Sequence, residues 1–239
     1  MLMWDLFGTR AVISVLVVIV VSYLIGSVNS SIILSRAIGG KDIRKSGSGN
    51  AGATNMLRTY GKKMGAITLL IDVFKGVAAV GLAMLFVKYY YSGFAVKVWG
   101  RSDLTEWQAI LSWLSLPYIA GLFVILGHNF PIFFGFKGGK GVATSLGAVM
   151  MLDWKIGVML LIIALIIMII TRYVSLGSIV SGALFIILEI ARMFFDSEWN
   201  FIRLICVILM GGLVIIRHHA NIKRLIAGTE NKLGSKKKD

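Results

Sequence analysis

The stretch AVISVLVVIVVSYLIGSVNSSIIL, residues 11–34, decides the fold. It carries no charged side chain. As a helix it would reach about 36 Å, enough to cross a hydrocarbon core of ~30 Å. No small-residue cleavage site leads from it into a soluble domain, so it reads as a retained span and not as a signal peptide. Further apolar segments follow at 64–91, 108–134, 141–152, 156–171, 174–192 and 201–217. The segment 141–152 is too short to cross as a straight helix, and reads as a half-helix or as an extension of the glycine-rich sequence before it. At 57% hydrophobic residues and a mean hydropathy of +0.85, the chain does not fit an ordinary soluble domain. The expected fold class is all-α: a polytopic membrane helical bundle of seven transmembrane segments, some short or broken. Residues 1–239 form one domain in this reading, ending in a basic flexible tail at 234–239.

Charge orients the bundle. Lys75 lies inside a span, which leaves the other 24 of the 25 cations for the loops and ends. With the N-terminus outside, the inner side holds 17 of them: Arg36, Lys41, Arg44, Lys45, Arg58, Lys62, Lys63, Lys137, Lys140, Arg172, Arg217, Lys223, Arg224, Lys232, Lys236, Lys237 and Lys238. The outer side holds 7: Arg10, Lys88, Lys97, Arg101, Lys155, Arg192 and Arg203. Cytoplasmic loops of membrane proteins are the ones enriched in Lys and Arg, so the N-terminus is expected outside and the C-terminus in the cytoplasm. The net charge of +14 suits anionic lipid headgroups or anionic substrates, and a membrane-buried chain offers little basic surface for nucleic acid.

Three polar clusters interrupt the apolar pattern: GSGNAGATN at 47–55, FKGGKGVAT at 136–144 and RHHANIKR at 217–224. In the seven-span topology all three, with Arg172 and Ser175, fall on the cytoplasmic side and make one convergent site. The first cluster fits the G-x-G-x-x-G pattern, and Asp72 stands 20 residues beyond Gly52. A dinucleotide site would need a strand before it and a soluble βαβ unit, and neither is present in the pattern. What remains is backbone that an anion can approach closely. Ser48, Asn50, Thr54 and Asn55 add side-chain donors, and Arg58 adds a phosphate-matched fork. The second cluster is one residue short of a Walker A loop. Lys137, Gly138, Gly139, Lys140 and Gly141 still read as an anion cradle opening a helix, with Thr144 closing the cluster. The plain alternatives are a capped turn for the first and interface anchors for the second. In the third, His218 and Asn221 are three apart and share a helix face, while His219 points elsewhere.

Other polar residues read as structural. Asp72 and Lys75, three apart in a span, are expected to pair. Glu189 lies near the outer end of its span and is expected to reach the interface. His128 reads as a structural hydrogen-bonding residue, and Cys206 as packing. No metal site is expected: there is no H-x-x-x-H, no C-x-x-C and no acid-rich cytoplasmic cluster.

Several stretches together resemble the bacterial membrane glycerol-3-phosphate acyltransferase family that uses acyl phosphate as donor. They are Gly26-Ser27, residues 42–55, Asp72 with Lys75-Gly76, residues 127–131, 136–144, 172–176 and 217–224, then Gly228 and Glu230. The resemblance implies transfer of a fatty acyl group from acyl phosphate to the 1-hydroxyl of glycerol 3-phosphate, giving lysophosphatidate and inorganic phosphate in phospholipid synthesis. It implies no cofactor, a monomer among membrane lipids, and a bacterial cytoplasmic (inner) membrane location with the active site on the cytoplasmic side. Carried over by position, it puts catalytic roles on His218, Asn221, Ser48 and Ser175. It puts substrate binding on Arg58 and Lys140, and the second cluster resembles the family's glycerol-3-phosphate binding loop; the clusters' own chemistry adds Lys137, Gly138, Gly139, Gly141, Thr144, Asn50 and Asn55 as substrate-binding candidates. His218 fits either a general base or a group that orients a substrate phosphate taking the proton itself. The chain departs from the family in its outer loops, 93–107 and 194–200, which are longer than usual, and at His219 and Ala220, where Arg and an acid are expected. A transporter of phosphorylated metabolites is the alternative of a different class; it predicts polar clusters on both faces or at the midplane.

Overall fold

The computed structural model describes residues 2–91, 115–197 and 199–234. The proposed outer loop at 93–107, the segment 108–114 and the tail residues 235–239 lie outside them. Among the described residues the chain is all helical, with no strand. The helices are α1 (Leu2–Ser27), α2 (Ser30–Gly39), α3 (Ala53–Phe86), α4 (Leu116–Asn129), α5 (Val142–Leu152), α6 (Trp154–Thr171), α7 (Val174–Phe195), α8 (Phe201–Arg217) and α9 (His219–Ile226).

Among the described residues five helical stretches are long and apolar enough to cross a membrane: Ala11–Gly39, Ala53–Tyr89, Leu116–Phe134, Trp154–Thr171 and Val174–Phe195. A sixth arises if α8 and α9, bent by 54° at His218, count together. Helix α5, at 11 residues, spans about 16 Å and is the short element expected from its sequence. Aliphatic and aromatic side chains face outward, among them Phe74, Ile169, Ile170 and Phe195, as a lipid-facing surface requires.

The first apolar run is broken, which its composition did not reveal. Helix α1 ends at Ser27, and Asn29 caps α2 by accepting from the Ile32 amide (3.2 Å). The freed carbonyls of Gly26 and Val28 each accept from Lys75 Nζ at 3.1 Å. Lys75 also pairs with Asp72 (3.0 Å), as its spacing predicted. A buried polar cluster thus satisfies backbone that hydrocarbon would leave orphaned.

Helix α3 turns sharply at Gly61, whose φ of 85° lies in the left-handed region. The reversal folds 53–60 back, so that a Cβ on Gly65 would sit 2.7 Å from Leu57 Cβ. This carries Arg58 out of the main helix axis. Elsewhere small residues bring backbones together: Gly127 of α4 against Tyr23 of α1, Gly147 of α5 against Val73 of α3, and Gly211 of α8 against Gly182 of α7. Helix α4 lies innermost, packed on α1, α3, α5 and α8.

Glu189 departs from expectation. It is fully buried and accepts from Arg203 Nη2 (2.6 Å), Arg203 Nε (3.1 Å) and the Tyr118 hydroxyl (3.1 Å). The Arg203 guanidinium also stacks over the Tyr118 ring. Position along the span placed Glu189 near water, but α4 and α8 enclose it.

Candidate active site

The first glycine loop is held from within. Asn55, 1% exposed, accepts from the Ser48 amide (2.9 Å). Its Nδ2 lies within hydrogen-bond distance of the carbonyls of Ile43 (3.2 Å), Ser46 (3.0 Å) and Asn50 (3.0 Å). Expected as a substrate donor, Asn55 instead spends its amide on the loop, which turns through left-handed Gly47 and Gly49. The Ser48 side chain is exposed, Asn50 is half-buried, and exposed Arg58 makes no hydrogen bond or ion pair among the described residues.

Arg44 ties this loop to the second. It donates to the carbonyls of Phe134 (2.7 Å) and Lys137 (2.9 Å), and forks onto Asp42. That fork, above all, holds the Asp42 carboxyl well below the usual carboxylate range. The amides of Gly138 and Gly139 donate inward to the carbonyls of Asn129 (3.1 Å) and His128 (3.2 Å). The Gly139 carbonyl accepts from Arg217 Nη2 (2.9 Å) and Nε (3.2 Å). These two amides are therefore structural, and Lys140 is what the loop turns toward the third cluster. Gly141 adopts a φ of 78° at the start of α5, and Lys137 is exposed. Thr144 is fully buried, with its carbonyl against Gly76 of α3, a packing position.

The third cluster meets Lys140 directly. Lys140 Nζ donates to Asn221 Oδ1. Asn221 Nδ2 in turn donates to Glu230 Oε1 (2.6 Å), which also accepts from Ser175 Oγ (3.0 Å). Glu230 Oε2 accepts from Arg224 Nε (2.7 Å). The segment 227–234 makes this possible by strapping back over the start of α7, where the Leu233 amide donates to the Arg172 carbonyl (2.7 Å). Glu230 and Arg217 had no assigned role in the sequence reading. Both are polar residues beside a motif, and only the fold shows which loop they reach.

His218 occupies the break between α8 and α9 and is 3% exposed. Its Nδ1 donates to the Val214 carbonyl (2.7 Å), which leaves Nε2 as an acceptor. Burial, helped by the charge of Lys140, pushes its pKa down to about 4, so the ring is neutral. Burial also lowers Lys140, to about 8; Glu230 opposes this, and Arg224, Arg217 and Arg58 add to it. Burial pushes Glu230 up, but hydrogen bonds from Asn221, Arg224 and Ser175 outweigh it and hold the carboxyl below its ordinary value. The result is a cluster of cations around one carboxylate, suited to a phosphate anion. Among the described residues no group of three or more His, Cys, Asp or Glu side chains is placed to hold a metal.

The sequence model of a family described as glycerol-3-phosphate acyltransferase matches residues 16–228. A glycerol-3-phosphate acyltransferase of Clostridioides difficile is 42% identical over 226 residues, covering 95% of this chain and 98% of that one. One from Thermoanaerobacter pseudethanolicus is 41% identical over 217 residues, covering 91% and 94%. Among solved structures, PlsY, an integral membrane glycerol 3-phosphate acyltransferase, superposes in its glycerol 3-phosphate form with a TM-score of 0.72 at 36% identity, covering 92% of this chain and 96% of that chain. Its lysophosphatidic acid form gives a TM-score of 0.69 at 34% identity. Sequence and fold agree over nearly the whole length: the chain belongs to the glycerol-3-phosphate acyltransferase family.

Proposed function

We propose that this acyltransferase takes its acyl group from acyl phosphate and delivers it to the 1-hydroxyl of glycerol 3-phosphate, giving lysophosphatidate and inorganic phosphate. The observation that carries the reading is the chain Lys140–Asn221–Glu230–Ser175, flanked by Arg217 and Arg224. Two phosphate-bearing substrates repel each other, and a pocket rich in fixed cations offsets that repulsion. Acyl phosphate is a mixed anhydride with a good leaving group, so alignment of hydroxyl and carbonyl supplies much of the remaining rate.

In this proposal Lys140 and Lys137 on the second loop hold the phosphate of glycerol 3-phosphate and Arg58 that of the donor, with Asn50 and Gly141 lining the loops that carry them. Ser48 and the second amide proton of Asn221 donate toward the substrate oxygens, including the oxyanion that develops on the carbonyl, while Ser175, whose one proton lies on Glu230, positions that carboxylate. His218 Nε2 accepts from the second hydroxyl of glycerol 3-phosphate and so orients the attacking one. A group with a pKa of about 4 is a weaker base than a phosphate dianion, whose second ionisation lies near ~6. The hydroxyl proton therefore passes to the departing phosphate: the ester C–O bond forms, the acyl C–O bond to phosphate breaks, and hydrogen phosphate leaves.

In this proposal α5, the five long stretches and the α8–α9 pair serve as seven membrane elements, with the N-terminus outside and the C-terminus cytoplasmic. The charge distribution supports this arrangement, with the site at the cytoplasmic side of a bacterial inner membrane. The protein acts as a single-domain monomer. The test is donor choice. Purified protein given glycerol 3-phosphate should form lysophosphatidate from palmitoyl phosphate and none from palmitoyl-CoA; the reverse preference would overturn the proposed donor.

A further inference from the structure

His128 lies where the intramembrane polar cluster and the glycine loop meet. It is 3% exposed, at the end of α4. Its Nδ1 is 2.8 Å from Lys75 Nζ and 3.6 Å from Asp72 Oδ1. An ammonium only donates, so Nδ1 accepts from Lys75 and the ring proton resides on Nε2. The Nε2 edge faces Gly139: a Cβ there would sit 2.1 Å from His128 Nε2 and 2.4 Å from the Ala51 carbonyl oxygen. The His128 carbonyl meanwhile accepts from the Gly139 amide (3.2 Å). Gly139 is thus enclosed by the His128 ring and backbone, by Ala51 of the first loop, and by Arg217 beside the third cluster. The next residue is Lys140.

We propose that His128, held by Lys75 and Asp72, is a positioning residue for the acyl acceptor: it sets the place of Gly139 and so the reach of Lys140 toward Asn221 and the substrate phosphate. Because a bound phosphate feels a fixed cation steeply with distance, a small displacement of Lys140 weakens acceptor binding and leaves the acyl chain's contacts unchanged. The bare hydrogen-bonding role read from the sequence predicts only lost stability. The proposal rests on the acyltransfer reading above, and wild-type turnover measured alongside separates the failure of that reading from the failure of this one.

The experiment compares KM for glycerol 3-phosphate and for palmitoyl phosphate in His128→Phe, His128→Asn and Gly139→Ala, with thermal melting of each in detergent. His128→Phe should raise KM for glycerol 3-phosphate by roughly 10-fold or more, with KM for the donor nearly unchanged. His128→Asn, whose side-chain oxygen replaces the Nδ1 acceptor, should recover part of that loss. Gly139→Ala, which drives the ring away from the loop, should reproduce the acceptor defect. An unchanged acceptor KM, with activity falling only in step with the folded fraction, would overturn the proposal. Should His128→Phe fail to fold, Gly139→Ala decides by the same criterion. If that too yields no folded protein, these residues serve folding alone and the proposal is wrong.

Discussion

Lys140 and Asn221 are 81 positions apart in the chain, yet the lysine ammonium donates to the asparagine side-chain oxygen. Through that bond the second glycine loop is joined to the C-terminal motif, and Glu230 extends the connection to Ser175. A buried amide that bridges a cation and a carboxylate has its orientation fixed, since only its oxygen can face the lysine. The site is therefore preorganised before substrate arrives, with its positive charges held against their own repulsion by one acid.

Lys140 sets an alkaline limit. Its charged form is needed for phosphate, is complete well below pH 8, and is lost as pH rises through about 8. The value of kcat/KM for glycerol 3-phosphate should fall above that pH in wild type. Lys140→Arg keeps its charge and should lose this limb, at reduced activity because a planar fork replaces a point charge. A wild-type limb that persists unchanged in Lys140→Arg would assign the titration elsewhere.

Glu230→Gln removes the charge that supports Lys140 while keeping an acceptor near Ser175 and Asn221. Turnover should drop on the order of 10- to 100-fold, the scale of one charge-assisted hydrogen bond. The alkaline limb should also move to lower pH, because the variant lacks the carboxylate that raises the lysine's affinity for its proton. Steady-state kinetics from pH 6 to 9.5 (roughly the range that brackets the two ionisations) reads both effects.

Much of this was legible in the sequence, and the exceptions have physical causes. Apolar length located the crossing helices, and the second and third polar clusters marked the residues that meet at Lys140 and Asn221. The break at Val28 was hidden because Lys75, 47 positions away, satisfies its carbonyl groups. Asn55 looked like a donor to substrate because composition does not show which way an amide points; inward carbonyls consume it. Glu230 was visible as a residue but not as a partner, since its contacts depend on the strap at 227–234. Glu189 was misjudged because depth along one helix says nothing of what its neighbours cover.

His218 provides a test of proton transfer. Its pKa of about 4 leaves it neutral across the working range, so an acidic limb near ~6 would belong to a substrate phosphate. In His218→Gln, which keeps a polar side chain but no basic nitrogen, turnover should fall while that limb stays in place. Loss of the limb together with activity would make the imidazole the base.

The buried Glu189–Arg203 pair predicts an asymmetry in stability. Arg203→Leu leaves the carboxylate without its guanidinium and should cost about 3–5 kcal/mol, whereas Glu189→Leu with Arg203→Leu should recover much of that loss. Thermal melting in detergent checks the order of the two; equal destabilisation would mean the pair itself, not the orphaned charge, carries the effect.

Acyl transfer between two phosphates held in one site has a fixed stoichiometry. Phosphate release and lysophosphatidate formation should be measured together, with palmitoyl phosphate present and glycerol 3-phosphate either supplied or withheld. The two products should form in equal amounts, with no phosphate released without the acceptor. Phosphate released at a similar rate without glycerol 3-phosphate would contradict such transfer, because water would then be the acceptor that the site serves.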